Sequence, residues 1–247
     1  MIYEIRLKAR QKQAQCSAIL FLSFMITALV VLTVNLFPLV YISTVKTLSG
    51  DNKILSLIVS TFLLHICITL YSALSLGVDR FMLKRSENIS AGAGDIFYYF
   101  RFRNLISMLK FYIAFSVRRL LFYIVLLLPF AICLGTFISL CNKGFSAAVC
   151  LVFGVFSVLF MLLAVITFHR ISDTYFLSKY KFIKGDYLNL KQLFAISQEA
   201  MLPKIKRLRQ MKLSFSGWFL LCILIVPIPY VWSYYRQCKA CFAAECM

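Results

Sequence analysis

The stretch AAVCLVFGVFSVLFMLLAVITF, residues 147–168, runs for 22 residues without a charged side chain. A helix needs about 20 predominantly apolar residues to cross the hydrocarbon core of a bilayer. Three further runs meet that length, at about 16–44, 54–78 and 119–140. A fifth, at about 213–235, is interrupted near its middle by Pro227 and Pro229. With 62% hydrophobic and 15% charged residues among 247, the chain is too short to enclose its apolar surface in water. The expected fold is all-α: a polytopic helical membrane protein forming one integral membrane domain over residues 1–247, with five membrane helices, or six if the last run divides.

The connections set an orientation. STVKTLSGDNK and CNKGFS are short polar turns that make antiparallel hairpins of the first and second runs and of the third and fourth. The other two connections are long and basic. Four Lys and Arg residues before the first run, eight between Arg80 and Arg119 and ten between Arg170 and Lys212 put 22 of the 27 on one side. That asymmetry predicts a multi-pass protein of the bacterial cytoplasmic membrane with a cytoplasmic N-terminus. The first run is too long for a secretory leader and reads as an uncleaved signal anchor. Five spans would carry the C-terminal tail outside. A reversal at the two prolines would leave it inside.

A formal net charge of +18 would suggest nucleic acid in a soluble protein. Here the cations lie between apolar blocks, so the expected partner is a bilayer with anionic headgroups and not nucleic acid. The long loops carry helical periodicity. Phe97, Phe100, Leu105, Met108, Tyr112 and Phe115 repeat at helical spacing, with Arg101, Arg103 and Lys110 between them. This predicts an amphipathic interfacial helix over about 95–116 on the cytoplasmic side. A second, over about 189–202, has Asn189 three residues before Gln192 as a partial capping box, and Leu190, Leu193, Phe194, Ser197 and Met201 on one face. Headgroup contacts are expected from Arg101, Arg103, Lys204, Lys206, Arg207, Arg209 and Lys212. Trp218 and Tyr230 are expected in the interfacial aromatic belt. SAGAG at 90–94 reads as a small-residue linker.

Signatures that carry chemistry are sparse. The sequence holds no HExxH, GxSxG or GxxxxGK[ST], so zinc proteolysis, esterase chemistry and nucleotide hydrolysis lack their usual residues. No catalytic, metal or cofactor residues are assigned. Cys238 and Cys241 have CxxC spacing, which suits a redox or metal pair, palmitoylation, or incidental thiols on a terminal helix. His65 is the ionisable side chain placed deepest in a span. Asn35 is expected at matching depth on the neighbouring span, so the two form a candidate intramembrane hydrogen-bonded pair. Asp79-Arg80 and His169-Arg170 with Asp173 fall where spans leave the membrane and are expected to mark the interface or to pair locally.

The run ISQEAMLPKIKRLRQMKLSFSGWFLLCILIVPIPYVWSYYRQCKACF, 196–242, resembles the C-terminal region of the bacterial integral membrane family catalogued as domain of unknown function nine-seven-five. The matching residues are Ser214, Phe215, Trp218, Tyr230, Tyr234 and Tyr235, while Ser233 stands where that pattern often has proline. Weaker similarity runs through DTYFLSKYKF and GVDRFMLKRSENIS. The resemblance implies a polytopic membrane fold and no assigned chemistry. The resulting expectation is a non-enzymatic membrane or assembly component with a membrane protein as a candidate partner. The alternative is a transporter or permease-like subunit, because QEAMLPKIKRL resembles the coupling loop of importer permeases without its glycine.

Overall fold

The computed structural model describes residues 2–14, 21, 24–25, 27–28, 32, 52–185, 189–224 and 227–247, and all regular structure among them is helical. The elements are α1 (Ile2–Ala14), α2 (Asn52–Ser86), α3 (Ala93–Ile96), α4 (Phe102–Asn142), α5 (Ala147–Thr174), α6 (Ser178–Lys184), α7 (Leu190–Met201), α8 (Ile205–Leu213), α9 (Ser216–Leu221) and α10 (Ile228–Cys246). Three stretches among the described residues are long and apolar enough to cross a membrane: Thr61–Ser86, Phe102–Asn142 and Ala147–Lys184. The last takes in α5, a turn at 175–177 and α6. The run at 16–44 falls almost wholly outside the described residues.

The α4–α5 hairpin forms because CNKGFS supplies a left-handed stop. Gly144 adopts φ +70°, its N–H donates to the Cys141 carbonyl, and the Phe145 N–H donates to the Leu140 carbonyl. This is a Schellman closure, and glycine enters the required conformation without a Cβ penalty. Asn88, at φ 61°, ends α2 through the same pair of bonds, to Arg85 and Lys84. Along the hairpin the large apolar side chains face outward: Val125, Leu151 and Leu163 are 67%, 66% and 61% exposed. A continuous exposed apolar surface of this kind belongs in lipid.

The protein's own core lies at the other end, where α2, α4 and α5 leave the apolar zone. Leu76, Met82, Phe111, Tyr180, Met211 and Phe215 are buried there. Phe111 stacks on Phe182 at 4.5 Å between centroids, and Phe194 lies 6.1 Å from Phe111. The periodicity read at 105–115 is real, since Met108 and Phe111 are buried and Leu105, Tyr112 and Phe115 pack against the core. That face meets protein, however, and residues 102–116 continue into the apolar stretch as one helix of 41 residues. Phe97 and Phe100 stay exposed on the turn before it, and Phe102 at its first position. The second periodic segment is α7. Asn189 Oδ1 accepts from the Gln192 N–H at 2.8 Å, and Leu193, Phe194, Ser197 and Met201 are buried in the same core.

SAGAG forms a clamped turn. Asp95 accepts from the Gly92 N–H at 3.1 Å, from Lys84 at 2.6 Å and from Arg80 at 3.3 Å. The turn therefore folds back on α2. It comes so close that a Cβ on Gly77 would run into the Ile96 carbonyl oxygen.

The stretch 213–235 is divided. Pro227 caps α10 and Pro229 lies in its first turn, a position where the missing N–H costs nothing. Across the division Phe215 meets Tyr234 and Tyr235, each at 5.2 Å, and Trp218 meets Tyr230 at 6.3 Å. These pairs require the chain to reverse between α9 and α10. The reversed α10 then lies along α1 and α2. Gln13 donates to Ser233 Oγ at 2.8 Å, the Tyr234 hydroxyl donates to the Arg6 carbonyl at 3.3 Å, and Lys8 approaches Glu245 at 3.7 Å.

Candidate functional site

The most buried charges of the head come from three distant parts of the chain. Asp79, on the last turns of α2, is 3% exposed at its side chain. Its Oδ1 accepts from Arg236 Nη2 at 2.7 Å and from Arg236 Nε at 3.0 Å. Its Oδ2 accepts from Lys179 Nζ at 2.7 Å. Arg236 Nη2 also donates to the Ser75 carbonyl at 2.6 Å, and the guanidinium lies 4.8 Å from the Trp232 ring centroid. Burial works against the charge on Arg236, but Asp79 outweighs it and holds the guanidinium pKa above its ordinary value. Of the two readings of Asp79-Arg80, an interface marker or a local pair, the local pair does not form. Asp79 reaches across the head, while Arg80 turns to Asp95 and lies 3.7 Å from the Tyr98 ring centroid.

Beside this cluster opens a cavity of about 330 Å³ between α4, the end of α5, α6, α8 and α10. Phe111, Tyr112 and Phe115 form an aromatic wall, and Arg119, Lys179, Lys212 and Lys239 supply cations. Asp173 is the carboxylate on the wall and is held by Lys212 and by Arg209, the latter at 3.5 Å. Lys239 has no carboxylate partner among the described residues and lies 4.4 Å from the Tyr235 ring centroid. Burial, and then the neighbouring Lys179, push the Lys239 pKa well below the ordinary lysine value. Arg119 lies between rings, 5.5 Å from Phe115 and 5.2 Å from Phe168. Such a wall offers charge-assisted donors to an anion and apolar faces to whatever the anion is attached to.

The residues expected at headgroups divide by partner. Arg101, Arg103, Lys206 and Arg207 are exposed. Lys204 donates to the Cys246 carbonyl at 3.1 Å, and Arg209 and Lys212 turn to Asp173. Trp218 and Tyr230 pair with one another as rings, and with Arg6 and Arg10 they border a cleft beside α1. Asn35 lies outside the described residues. His65 donates from Nδ1 to the Thr61 carbonyl one turn back at 2.7 Å. Cys238 and Cys241 are buried at 0% and 5% exposure, and burial pushes the Cys238 thiol up to about 12. A thiol that is buried and protonated is a poor nucleophile and a poor acceptor for an acyl chain. No group of three His, Cys, Asp or Glu side chains able to hold a metal occurs among the described residues.

Arg236 and Lys239 escaped sequence reasoning because two tail cations carry almost no topological weight. A usable signal existed: Val231, Tyr234, Cys238 and Cys241 recur at spacings of three and four and are all buried, which marks α10 as an amphipathic helix against protein.

No family model, curated protein or solved structure matches the chain. The resemblance described above therefore rests on its quoted residues. Those residues are brought together: Phe215, Trp218, Tyr230, Tyr234 and Tyr235 form one aromatic cluster across the α9–α10 reversal. The two weaker segments contribute Asp79 and Lys179, which pair with each other, and Asp79 also binds Arg236 of the third.

Proposed function

We propose that the protein is a multi-pass component of the bacterial cytoplasmic membrane whose two terminal helices both lie on the cytoplasmic face, closing a helical head that serves a non-enzymatic membrane or assembly role. The observation that carries this reading is the Arg236–Asp79 pair at 2.7 Å, with α10 lying along α1. A buried ion pair cannot have its partners on opposite sides of a bilayer. A basic α1 on the cytoplasmic face brings α10 to the same face, with α2 and the apolar parts of α4 and α5 as crossings among the described residues.

The carboxylates of the head support a structural role. Asp79, Asp95, Asp173 and Glu87 are each engaged by Lys or Arg, so each stabilises a crossing of elements. Headgroup contact is supported at the start of α4 and the turn before it, where exposed Phe97, Phe100 and Phe102 lie beside exposed Arg101 and Arg103. Aromatic rings beside guanidinium groups suit the headgroup region of an anionic leaflet.

Protease-cleavable tags at each terminus test the topology. Both tags should resist protease added to intact spheroplasts and be cut in inverted vesicles. A C-terminal tag cut in intact spheroplasts while the N-terminal tag is protected would sink the reading. For the assembly role, mild-detergent purification should recover a fixed membrane protein partner. Recovery of the protein alone under several detergents would argue against it.

A further inference from the structure

We infer that the basic cavity between α4, α5, α6, α8 and α10 binds the phosphate group of an anionic amphiphile, with the apolar part lying along the open groove on the α4–α5 hairpin. This goes beyond the scaffold reading and depends only on the α4–α5 hairpin standing in lipid.

Charge comes first. Around the cavity Asp79 and Asp173 are shared among Arg236, Lys179, Arg209 and Lys212. Lys239 and Arg119 are further cations with no carboxylate partner among the described residues. Lys239 projects from a helix whose neighbouring side chains are buried, beside Lys179, so its charge is unfavourable there until an anion arrives. Phosphate brings the missing negative charge and several acceptor oxygens, and lysine and arginine are its usual protein ligands.

Shape then selects what carries the phosphate. A volume of about 330 Å³ lies at the small end of ligand pockets, roughly 300–1,000 Å³, which suits a headgroup and leaves no room for acyl chains. The cavity does not end there. Phe115, Arg119, Ser172 and Tyr175 also line an adjoining seam, too tight to take a chain, which adds Arg118, Phe122 and Phe168. From Arg119 and Phe168 an open groove continues past Leu120 and Tyr123 onto the apolar hairpin. Arg119 therefore stands where a polar head would give way to a hydrocarbon tail, its guanidinium between the rings of Phe115 and Phe168. A free phosphate or a small phosphorylated metabolite would satisfy the cations and leave the groove unused. A phospholipid satisfies both.

The test uses the full-length protein in neutral detergent, with affinities taken from titrated shifts in melting temperature. The probes are short-chain phosphatidic acid, glycerol 3-phosphate, inorganic phosphate and short-chain phosphatidylcholine. Phosphatidic acid should bind at least tenfold more tightly than any of the other three. Lys239→Gln and Arg119→Gln should each lower its affinity tenfold or more. Lys191→Gln, a charge change of the same size at an exposed site on α7 away from the cavity, should leave it within twofold. If one cavity variant does not fold, the other decides. Equal losses from Lys191→Gln and the cavity variants would mean diffuse attraction to basic surface and overturn the site. Equal affinity for glycerol 3-phosphate and phosphatidic acid would overturn the amphiphile in favour of a soluble phosphate compound.

Discussion

Replacing Asp79 by Asn should be among the most damaging isosteric changes available in the head. The carboxylate is 3% exposed and Arg236 is 8% exposed, so neither charge can recover hydration without opening the core. Asp79→Asn removes the counter-charge from both Arg236 and Lys179 while keeping the side-chain volume. Leaving a buried charge without its partner costs about 3–5 kcal/mol, and two cations are stranded here, so the upper part of that range is expected. Arg236→Met is milder, about 3 kcal/mol, because Lys179 continues to hold Asp79 Oδ2. The double variant should be less destabilised than the two single losses combined, with a coupling of about 2 kcal/mol, within the range for residues in direct contact. The molecule carries a convenient reporter. Its two tryptophans, Trp218 and Trp232, both lie in the head, and Trp232 lies under the Arg236 guanidinium. Urea unfolding in detergent followed by tryptophan emission thus reads the head while the apolar hairpin stays in its micelle. A loss below about 1 kcal/mol for Asp79→Asn, or strict additivity in the double variant, would refute a buried and mutually dependent ion cluster.

Three other outcomes follow from the packing. Gly77→Ala should destabilise the head by about 1–3 kcal/mol through overpacking against the Ile96 carbonyl, seen as an earlier urea midpoint; an unchanged midpoint would mean that α3 does not cross there. Burial raises the Asp95 pKa, but hydrogen bonds from Lys84, the Gly92 N–H and Arg80 outweigh it and depress the value. Its contribution is therefore present above the ordinary carboxylate pKa and lost as the pH falls through the depressed one. Asp95→Asn should cost about 2 kcal/mol at pH 7, and the gap from wild type should close on acidification below about pH 4. In native protein at pH 7.5, a maleimide should modify exposed Cys141 and spare Cys238 and Cys241, which should react only after denaturation, as mass spectrometry would show.

The hairpin was legible in the sequence because a bilayer demands a long uncharged run and CNKGFS gives a left-handed stop between two of them. The amphipathic faces at 105–115 and 190–201 were legible as helical faces but not as to what they meet. Periodicity records that one side of a helix avoids water, and both a lipid interface and a protein core satisfy that condition. Nothing local in the sequence joins Asp79 to Arg236. The pair forms because α10 is turned back by the reversal at Pro227 and Pro229, a tertiary event that a count of two tail cations could not foresee. The cavity was hidden for the same reason, since its cations come from four separate helices and only Lys212 had been singled out, for a different role.

The Arg236–Asp79 pair also sets an order on biogenesis. Asp79 is synthesised 157 residues before the arginine that neutralises it, and α4 and α5 are made in the interval. The apolar hairpin therefore enters the membrane while the head is still open, with Asp79 held at most by Lys179. Closure waits for α10 to leave the ribosome and dock beside α1. A chain stopped short of Arg236 would be inserted but unclosed, exposing the surfaces that quality-control proteases read. Closure of the core is thereby tied to α10, the element that carries Arg236.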